Sequence, residues 1–466
     1  MKRLSCVRSL CGLICTALAA CSVGPAYERP DIALPTEWHE APGPAASAVS
    51  VWPEAGWWHG FGSSQLDELI AQAERSNDDL AGAIARVQEA DAQVRVAGAP
   101  LFPSIDVGAT GTRERTQVTG VGARQTNIFN PQITASYELD FWGKNRALRS
   151  AARAAAVGSR YDQETVALTV VSSVATTYFQ ALELRDRIQV AQQNLQNGQK
   201  ILQGLQLEQS AGIATGLDVA QQETAVALLD AALPPLLQQF RQAVYALAVL
   251  IGRTPESIDV TNGSLTELST PTIVAGLPSQ LLSRRPDIAA AEQQLIAANA
   301  DITVARAALF PSIDLTASGG YASGKLASLI SPANRVYAVS AGLTQPIFHG
   351  GALRGQVAYS NARYTELLTT YHKTVLTAFG NVESALVAAR QTAEQRERQR
   401  DAVAKARRAY QFAQTQMSAG TVNILTVLNT ENALFSAQDV LVQVEYSHVQ
   451  ALIDLFAALG GGWHQG

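Results

Sequence analysis

The chain has little charge, few aromatic side chains and almost no cysteine available for pairing. Of its 466 residues, 16% are charged, 6% are aromatic and two are Met. Length alone implies roughly two to four domains, but so few large side chains cannot fill several compact cores. Ala, Gln, Leu and Val dominate instead, the composition of long packed helices. A net charge of −5 excludes a broadly basic nucleic-acid binder. A mean hydropathy of +0.03 is too low for a polytopic helical membrane protein. His39, His59, His349, His372, His448 and His464 are scattered and form no metal-ligand spacing. Gly143-Lys144-Asn145 lacks the upstream glycine of a phosphate loop, and no nucleophile elbow occurs. The expectation is a protein without catalytic residues, metal or cofactor, and without nucleic acid as a partner.

Three of the four cysteines, Cys6, Cys11 and Cys15, fall within residues 1–20. There Lys2, Arg3 and Arg8 precede an apolar stretch from Leu10 to Ala20 that ends in small residues, the pattern of a secretory signal. A transmembrane helix needs about 20 apolar residues, roughly twice what is present. Leu18-Ala19-Ala20-Cys21 resembles the lipobox of bacterial lipoproteins, in which the cysteine is acylated and becomes the first residue. Cleavage there leaves Cys21 alone, so no intramolecular disulfide can form. Several acyl chains anchor far better than one, at about 0.8 kcal/mol per buried CH₂. In lipoproteins that this segment resembles, a residue other than Asp after the cysteine, here Ser22, permits sorting to the outer membrane.

The rest of the chain is one unit written twice. Leu101-Phe102-Pro103-Ser104-Ile105-Asp106 recurs unchanged as Leu309 to Asp314, 208 residues later. The same offset maps Ser210-Ala211-Gly212 onto Ser418-Ala419-Gly420, and Leu217, Val219, Glu223 and Ala225 onto Leu425, Val427, Glu431 and Ala433. It also maps Leu247 and Gly252 onto Leu455 and Gly460, so the chain carries an internal duplication. The expected organisation is a signal (1–20), a lipidated Pro/Gly-rich segment (21–62), repeat one (63–252), a turn-rich linker (253–275), repeat two (276–460) and a tail (461–466).

Each repeat shows the same order. A helix comes first, from Gln65 to Ala99 or from Pro286 to Ala308; Pro286 suits a first turn and Asp287 the positive helix end. Two extended stretches come next, in which Ile105, Val107 and Ala109, then Ile133, Ala135, Tyr137 and Leu139, alternate with polar or small residues. Repeat two supplies Ile313, Leu315 and Ala317, then Tyr337, Val339, Ala341 and Leu343. The period of two and the length suit membrane-spanning strands. Gly111 to Asn130 and Gly319 to Arg335 read as joining loops. A proline-free stretch from Arg146 to Gly212 then predicts a helix of roughly 100 Å. Its stripe Ala167, Val170, Val174, Thr177, Ala181, Leu184, Ile188, Ala191, Leu195, Gly198, Leu202, Leu205 has the 3.5-residue period of coiled-coil packing. The stripe in repeat two is weaker, with Arg396 and Gln399 near its middle. Gly212 and Gly420 predict left-handed caps, Thr215 and Asn423 N-caps of return helices, and Asp218 the partner in a capping box. Pro234-Pro235 should break the first return helix.

Four strands cannot close a barrel, which takes about eight, and an open sheet in lipid leaves backbone groups unsatisfied. Strands in a membrane therefore demand several chains per barrel; three would give about twelve strands and an aqueous lumen. The residues that carry a family likeness are Trp57-Trp58 with Phe61, the Leu-Phe-Pro-Ser pair, Tyr137-Glu138-Leu139-Asp140-Phe141-Trp142-Gly143, Ser283-Arg284-Arg285-Pro286-Asp287-Ile288, and Gln345-Pro346-Ile347-Phe348 with Gly350-Gly351. Through them the chain resembles the TolC-type outer-membrane efflux channels, in particular the lipoprotein (NodT-like) branch that serves resistance-nodulation-division (RND) pumps. The resemblance implies a fold of mixed class, all-α with transmembrane β: a trimeric 12-stranded β-barrel, four strands per chain, continuous with a long α-helical coiled-coil tunnel. It implies a homotrimer in outer-membrane lipid that meets a periplasmic adaptor (membrane fusion) protein and an inner-membrane RND-type pump, and a passive path for small molecules such as drugs.

The resemblance also places a gate just past the second tip. Relatives carry acids where this chain has Thr426 and Asn429, while Asp218 keeps an acid in repeat one. These three are the gate candidates, with a ring less negative than in those relatives. Ala211, Gly212, Ala419 and Gly420 are the candidate adaptor contacts. Two other readings remain open on sequence alone: a channel for type I protein secretion, and a structural periplasmic coiled-coil lipoprotein.

Overall fold

The computed structural model describes residues 23–40 and 54–463, apart from 119, 121, 261, 262, 272, 274, 275 and 277. The expected signal, Cys21 and Ser22 lie outside the described residues. Two compact units each draw on both halves of the chain. One comprises the described residues of 1–32, 86–160 and 290–372, the other those of 33–85, 161–289 and 373–466.

In chain order the elements are α1 (Ser64–Ser76), α2 (Asp78–Gly98), β1 (Ser104–Val118), β2 (Gly122–Glu138), α3 (Lys144–Ser210), α4 (Gly216–Ala231) and α5 (Leu233–Leu250). The second half repeats them as α6 (Pro286–Ala307), β3 (Ser312–Tyr321), β4 (Arg335–Thr344), α7 (Ala352–Ser418) and α8 (Ile424–Ala458). Helices α3 and α7 are each 67 residues long, about 100 Å of continuous helix. As the prolines predict, the first return helix is broken at Ala232, with Pro in the first turn of α5, whereas α8 runs unbroken for 35 residues.

The structure corrects two expectations. The helix expected from Gln65 to Ala99 is two helices, because Asn77 interrupts it. Its backbone is extended, its Oδ1 accepts from the Leu80 N–H at 3.0 Å, and its Nδ2 donates to the Leu250 carbonyl at 2.8 Å. The loop expected from Gly111 to Asn130 is mostly strand. The β1–β2 ladder runs unbroken from Ser104↔Ser136 to Val118↔Gly122, and the turn is confined to about Gly120, at φ +87°. The second connection is nearer to expectation, with β3 reaching Tyr321 before two short helical turns.

The core of the second unit explains the α3 stripe. Val170, Val174, Tyr178, Phe179 and Leu182 are buried against Leu66 and Ile70 of α1, Val244 and Leu247 of α5 and Ile453 of α8. Trp57 stacks on Phe456 with centroids 4.7 Å apart, and Phe61 lies 5.0 Å from Phe179. Each such side chain contributes about 1.5–3 kcal/mol by burial. No member of the stripe from Ala167 to Leu205 is exposed. The polar residues of the matching stripe differ: Arg396 lies 3.8 Å from Glu445 and its buried Nε has no hydrogen-bond partner, whereas Gln399 and the neighbouring Arg400 are bonded. Gln399 donates to the Ala437 carbonyl at 2.9 Å, and Arg400 reaches the buried Glu445 at 2.7 Å. His448 lies beside them; burial, then Arg396 and Arg400, pushes its pKa down to about 4.

The duplication has a packing reason. A Cβ at Gly252 would lie 2.1 Å from the Ser76 carbonyl oxygen, and one at Gly460 1.9 Å from that of Arg284. Both members of these pairs are related by the 208-residue offset. The offset also relates the bond from Asn77 to Leu250 to one from Arg285 Nη1 to the Ala458 carbonyl, 3.0 Å. Arg285 is held in place by a forked contact to Asp287, 2.9 and 2.6 Å, and Asp287 accepts from the Ile288 N–H. The Arg-Arg-Pro-Asp-Ile motif is thus a clamp on the C-terminal carbonyls of α8, where a cation is favoured.

Candidate functional site: a two-faced sheet and two helical tips

The first unit carries a sheet in the order β1-β2-β3-β4, antiparallel throughout. The pairs Val107↔Ile133, Ala135↔Ala317 and Ala317↔Val339 put the apolar half of every strand on one face. That face is bare: Val107 is 80%, Val339 79% and Leu343 69% exposed. A bare apolar surface of this extent marks a site that meets another molecule or a membrane. The opposite face carries Asp106, Thr110, Thr134, Ser136, Asp314, Thr316 and Ser340. Hydroxyls pair across it, Ser104 with Ser136 at 2.7 Å and Thr316 with Ser340 at 2.6 Å. Among the described residues, the outer edges of β1 and β4 pair with no further strand.

The Tyr137-to-Gly143 motif joins β2 to α3. Asp140 caps the helix, accepting from the Asn145 and Arg146 N–H groups at 2.9 Å each. Lys144 pairs with Glu138 at 2.7 Å. Trp142 stacks on Phe310 of the Leu-Phe-Pro-Ser motif at 4.7 Å and donates to the Pro311 carbonyl at 2.7 Å. The motif thus sets an aromatic cluster at the helix-proximal end of the strands, where membrane-interface side chains belong.

The two helical tips share one backbone pattern. After α3, the Gly212 N–H donates to Gln209 O at 2.9 Å and the Ile213 N–H to Glu208 O at 2.8 Å; after α7, Gly420 bonds Met417 and Thr421 bonds Gln416, at 2.9 and 3.0 Å. Gly212 and Gly420 sit at φ +75° and +70°, the left-handed caps that glycine permits. Ala211, Gly212, Ala419 and Gly420 are all exposed. So are Ile213 and Leu217 beside the first tip and Leu425 beside the second, at 76%, 67% and 48%. Leu217 and Leu425 stand out in the sequence only as matches in the duplication. Their sign is an apolar residue outside the 3.5-residue stripe.

Of the three gate candidates, Asp218 is engaged in the capping box. It accepts from the Thr215 N–H at 2.8 Å and the Thr215 hydroxyl at 2.6 Å, and those bonds hold its carboxyl below the usual range. Thr426 is exposed and its hydroxyl donates to Asn423 Oδ1 at 3.2 Å; Asn429 is exposed one turn further along α8. Sequence reasoning misses Glu431. It is 2% exposed and faces Tyr410, whose hydroxyl is 3.5 Å from Oε1. Its counterpart Glu223 is exposed, and the position matching Tyr410 is Leu202. Burial pushes the Glu431 pKa up from 4.5 to about 7. Because the acid is raised, the folded tip binds the extra proton, so stability falls as pH rises from about 4.5 to about 7. Denaturant unfolding should show this decline, and Glu431→Gln should flatten it.

The family model of the outer membrane efflux protein matches residues 69–253 and 277–461, two spans related by the same 208-residue offset. A pyoverdine export outer membrane protein, OpmQ of Pseudomonas putida, is 38% identical over 98% of each chain. The cation efflux system protein CusC of Escherichia coli is 32% identical over 97% of this chain and 98% of its own. Among solved structures, the outer-membrane channel OprN superposes with a TM-score of 0.88 at 27% identity, over 95% of this chain and all of that one. CusC gives 0.86 at 28% identity over the same shares. With both halves matched and full-length relatives above 30% identity, the chain belongs to the outer membrane efflux protein family and is an outer-membrane efflux channel.

Proposed function

We propose that three copies of this chain, anchored through acylated Cys21, close a twelve-stranded barrel and conduct small solutes out of the periplasm. The single observation that carries this is the bare apolar face of a sheet with two unpaired edges. Lipid satisfies the face, and pairing of β1 from one copy with β4 from the next satisfies the edges. The polar face then lines a wet lumen. Small solutes, rather than folded proteins, are favoured as cargo by relatives named for pyoverdine export and cation efflux. Planar-bilayer recording tests the reading: a steady open-channel conductance is expected, and silence of the purified acylated protein would refute it.

The exposed helical tips are the surface offered to a periplasmic adaptor coupled to an RND-type pump. Tryptophan at Ala211 or Ala419 should abolish most drug resistance in an efflux-deficient host while leaving oligomers intact, and normal resistance would remove the tips from docking. Thr426 and Asn429, on one exposed face of α8, are assigned to the gate, with Asp218. Asn429→Asp adds one charge per copy to that ring, so cation preference or open probability in single-channel records should rise. An unchanged channel would exclude Asn429.

A further inference from the structure

A membrane strand of a tilted barrel needs about 9–11 residues. β3 and β4 have ten each. Counted from its helix-proximal end, the tenth residue of each strand is Arg113 in β1, Phe129 in β2, Tyr321 in β3 and Arg335 in β4. All four fall on the apolar face by register, as does Arg115 two residues further along β1. The outward face therefore ends, on the side away from the helices, in two aromatic rings and three arginines. Arg113, Arg115 and Arg335 are exposed, and among the described residues none pairs with a carboxylate. The nearby Glu114 points to the opposite face and accepts from Thr116 at 3.1 Å.

Guanidinium groups at the rim of a lipid-facing surface suit headgroups that carry phosphate, which arginine binds with forked hydrogen bonds. We propose that Arg113, Arg115 and Arg335 form a binding site for the phosphates of the phosphorylated glycolipid of the outer leaflet. This inference rests on the reading of the sheet as a membrane wall. The rings of Phe129 and Tyr321 lie at the level of its sugar and acyl boundary.

The test uses the full acylated chain in detergent, titrated with bis-phosphorylated lipid A, dephosphorylated lipid A and phosphatidylglycerol, with the thermal midpoint as readout. Bis-phosphorylated lipid A should raise the midpoint of the wild type most, phosphatidylglycerol, with its single phosphodiester, should raise it less, and dephosphorylated lipid A should not raise it. The triple variant R113A/R115A/R335A should bind about a hundredfold more weakly than the wild type, close to fivefold per arginine, while R113K/R115K/R335K, which keeps the charge but loses the fork, should fall between the two. Should the triple variant fold poorly, each single alanine variant should still show its fivefold loss. Equal response of variant and wild type, or equal response to dephosphorylated lipid A or phosphatidylglycerol, overturns the proposal. Conductance of the triple variant, expected to be normal, separates failure of this site from failure of the channel reading.

Discussion

Val107→Arg should abolish the assembled channel. Val107 lies near the middle of the ten-residue span, on the bare apolar face, paired with Ile133. An arginine on the lipid face near the bilayer midplane costs about 2–4 kcal/mol. A closed barrel carries the change once per copy, so three copies lose roughly 6–12 kcal/mol, comparable to the whole stability of a folded domain. Heat-resistant oligomers in outer-membrane fractions should vanish. Thr134 supplies the control, since its register partner is Asp106 and it faces the polar side. Thr134→Lys should leave oligomers in place and alter only conductance. Equal tolerance of both changes would mean that the apolar face does not meet lipid.

Gly460→Val should strongly destabilise the second unit. The residue has φ +92°, a left-handed conformation that a β-branched side chain resists, and a Cβ there would overlap the Arg284 carbonyl oxygen. Backbone strain and overpacking each cost about 1–3 kcal/mol, so the sum is about 2–6 kcal/mol. The clamp from Arg285 to Ala458 shares this corner and would be lost with it. Gly252→Val should behave alike, because its Cβ would meet Ser76. Gly212→Ala separates the two causes. Its φ is +75°, but nothing lies within 4 Å of the added Cβ, so only the conformational cost of about 1 kcal/mol remains. Urea midpoints should drop much further for Gly460→Val and Gly252→Val than for Gly212→Ala, and a Gly460→Val protein as stable as Gly212→Ala would mean that the close approach to Arg284 does not matter.

Much of this architecture is written in local pattern. The alternation of Ile105, Val107 and Ala109, the stripe from Ala167 to Leu205, and the glycines that end α3 and α7 each report a period or a backbone conformation that neighbours in sequence decide. The resemblance carried by the Arg-Arg-Pro-Asp and Tyr-Glu-Leu-Asp motifs points to the right family, and the structure shows both to be clamps at helix ends. Other features depend on distant partners. Asn77 breaks the first helix because its amide reaches Leu250, 173 residues away. The hairpin beyond Gly111 looks like a loop because its residues are mostly polar on both faces and show no apolar alternation. Glu431 and Glu223 are the same residue at equivalent places, and only the Tyr410 side chain and the packing around it distinguish them. The tips are legible as helix caps, but the exposure of Leu217 and Leu425 depends on which helix faces remain uncovered.

If the barrel is shared as proposed, one chain provides a third of its wall. Native mass spectrometry of the purified, acylated protein released from detergent tests it most directly. One dominant species of three copies is expected, with monomer appearing only when the sheet unfolds. A folded monomer whose strands stay protected from hydrogen exchange at both outer edges would contradict it.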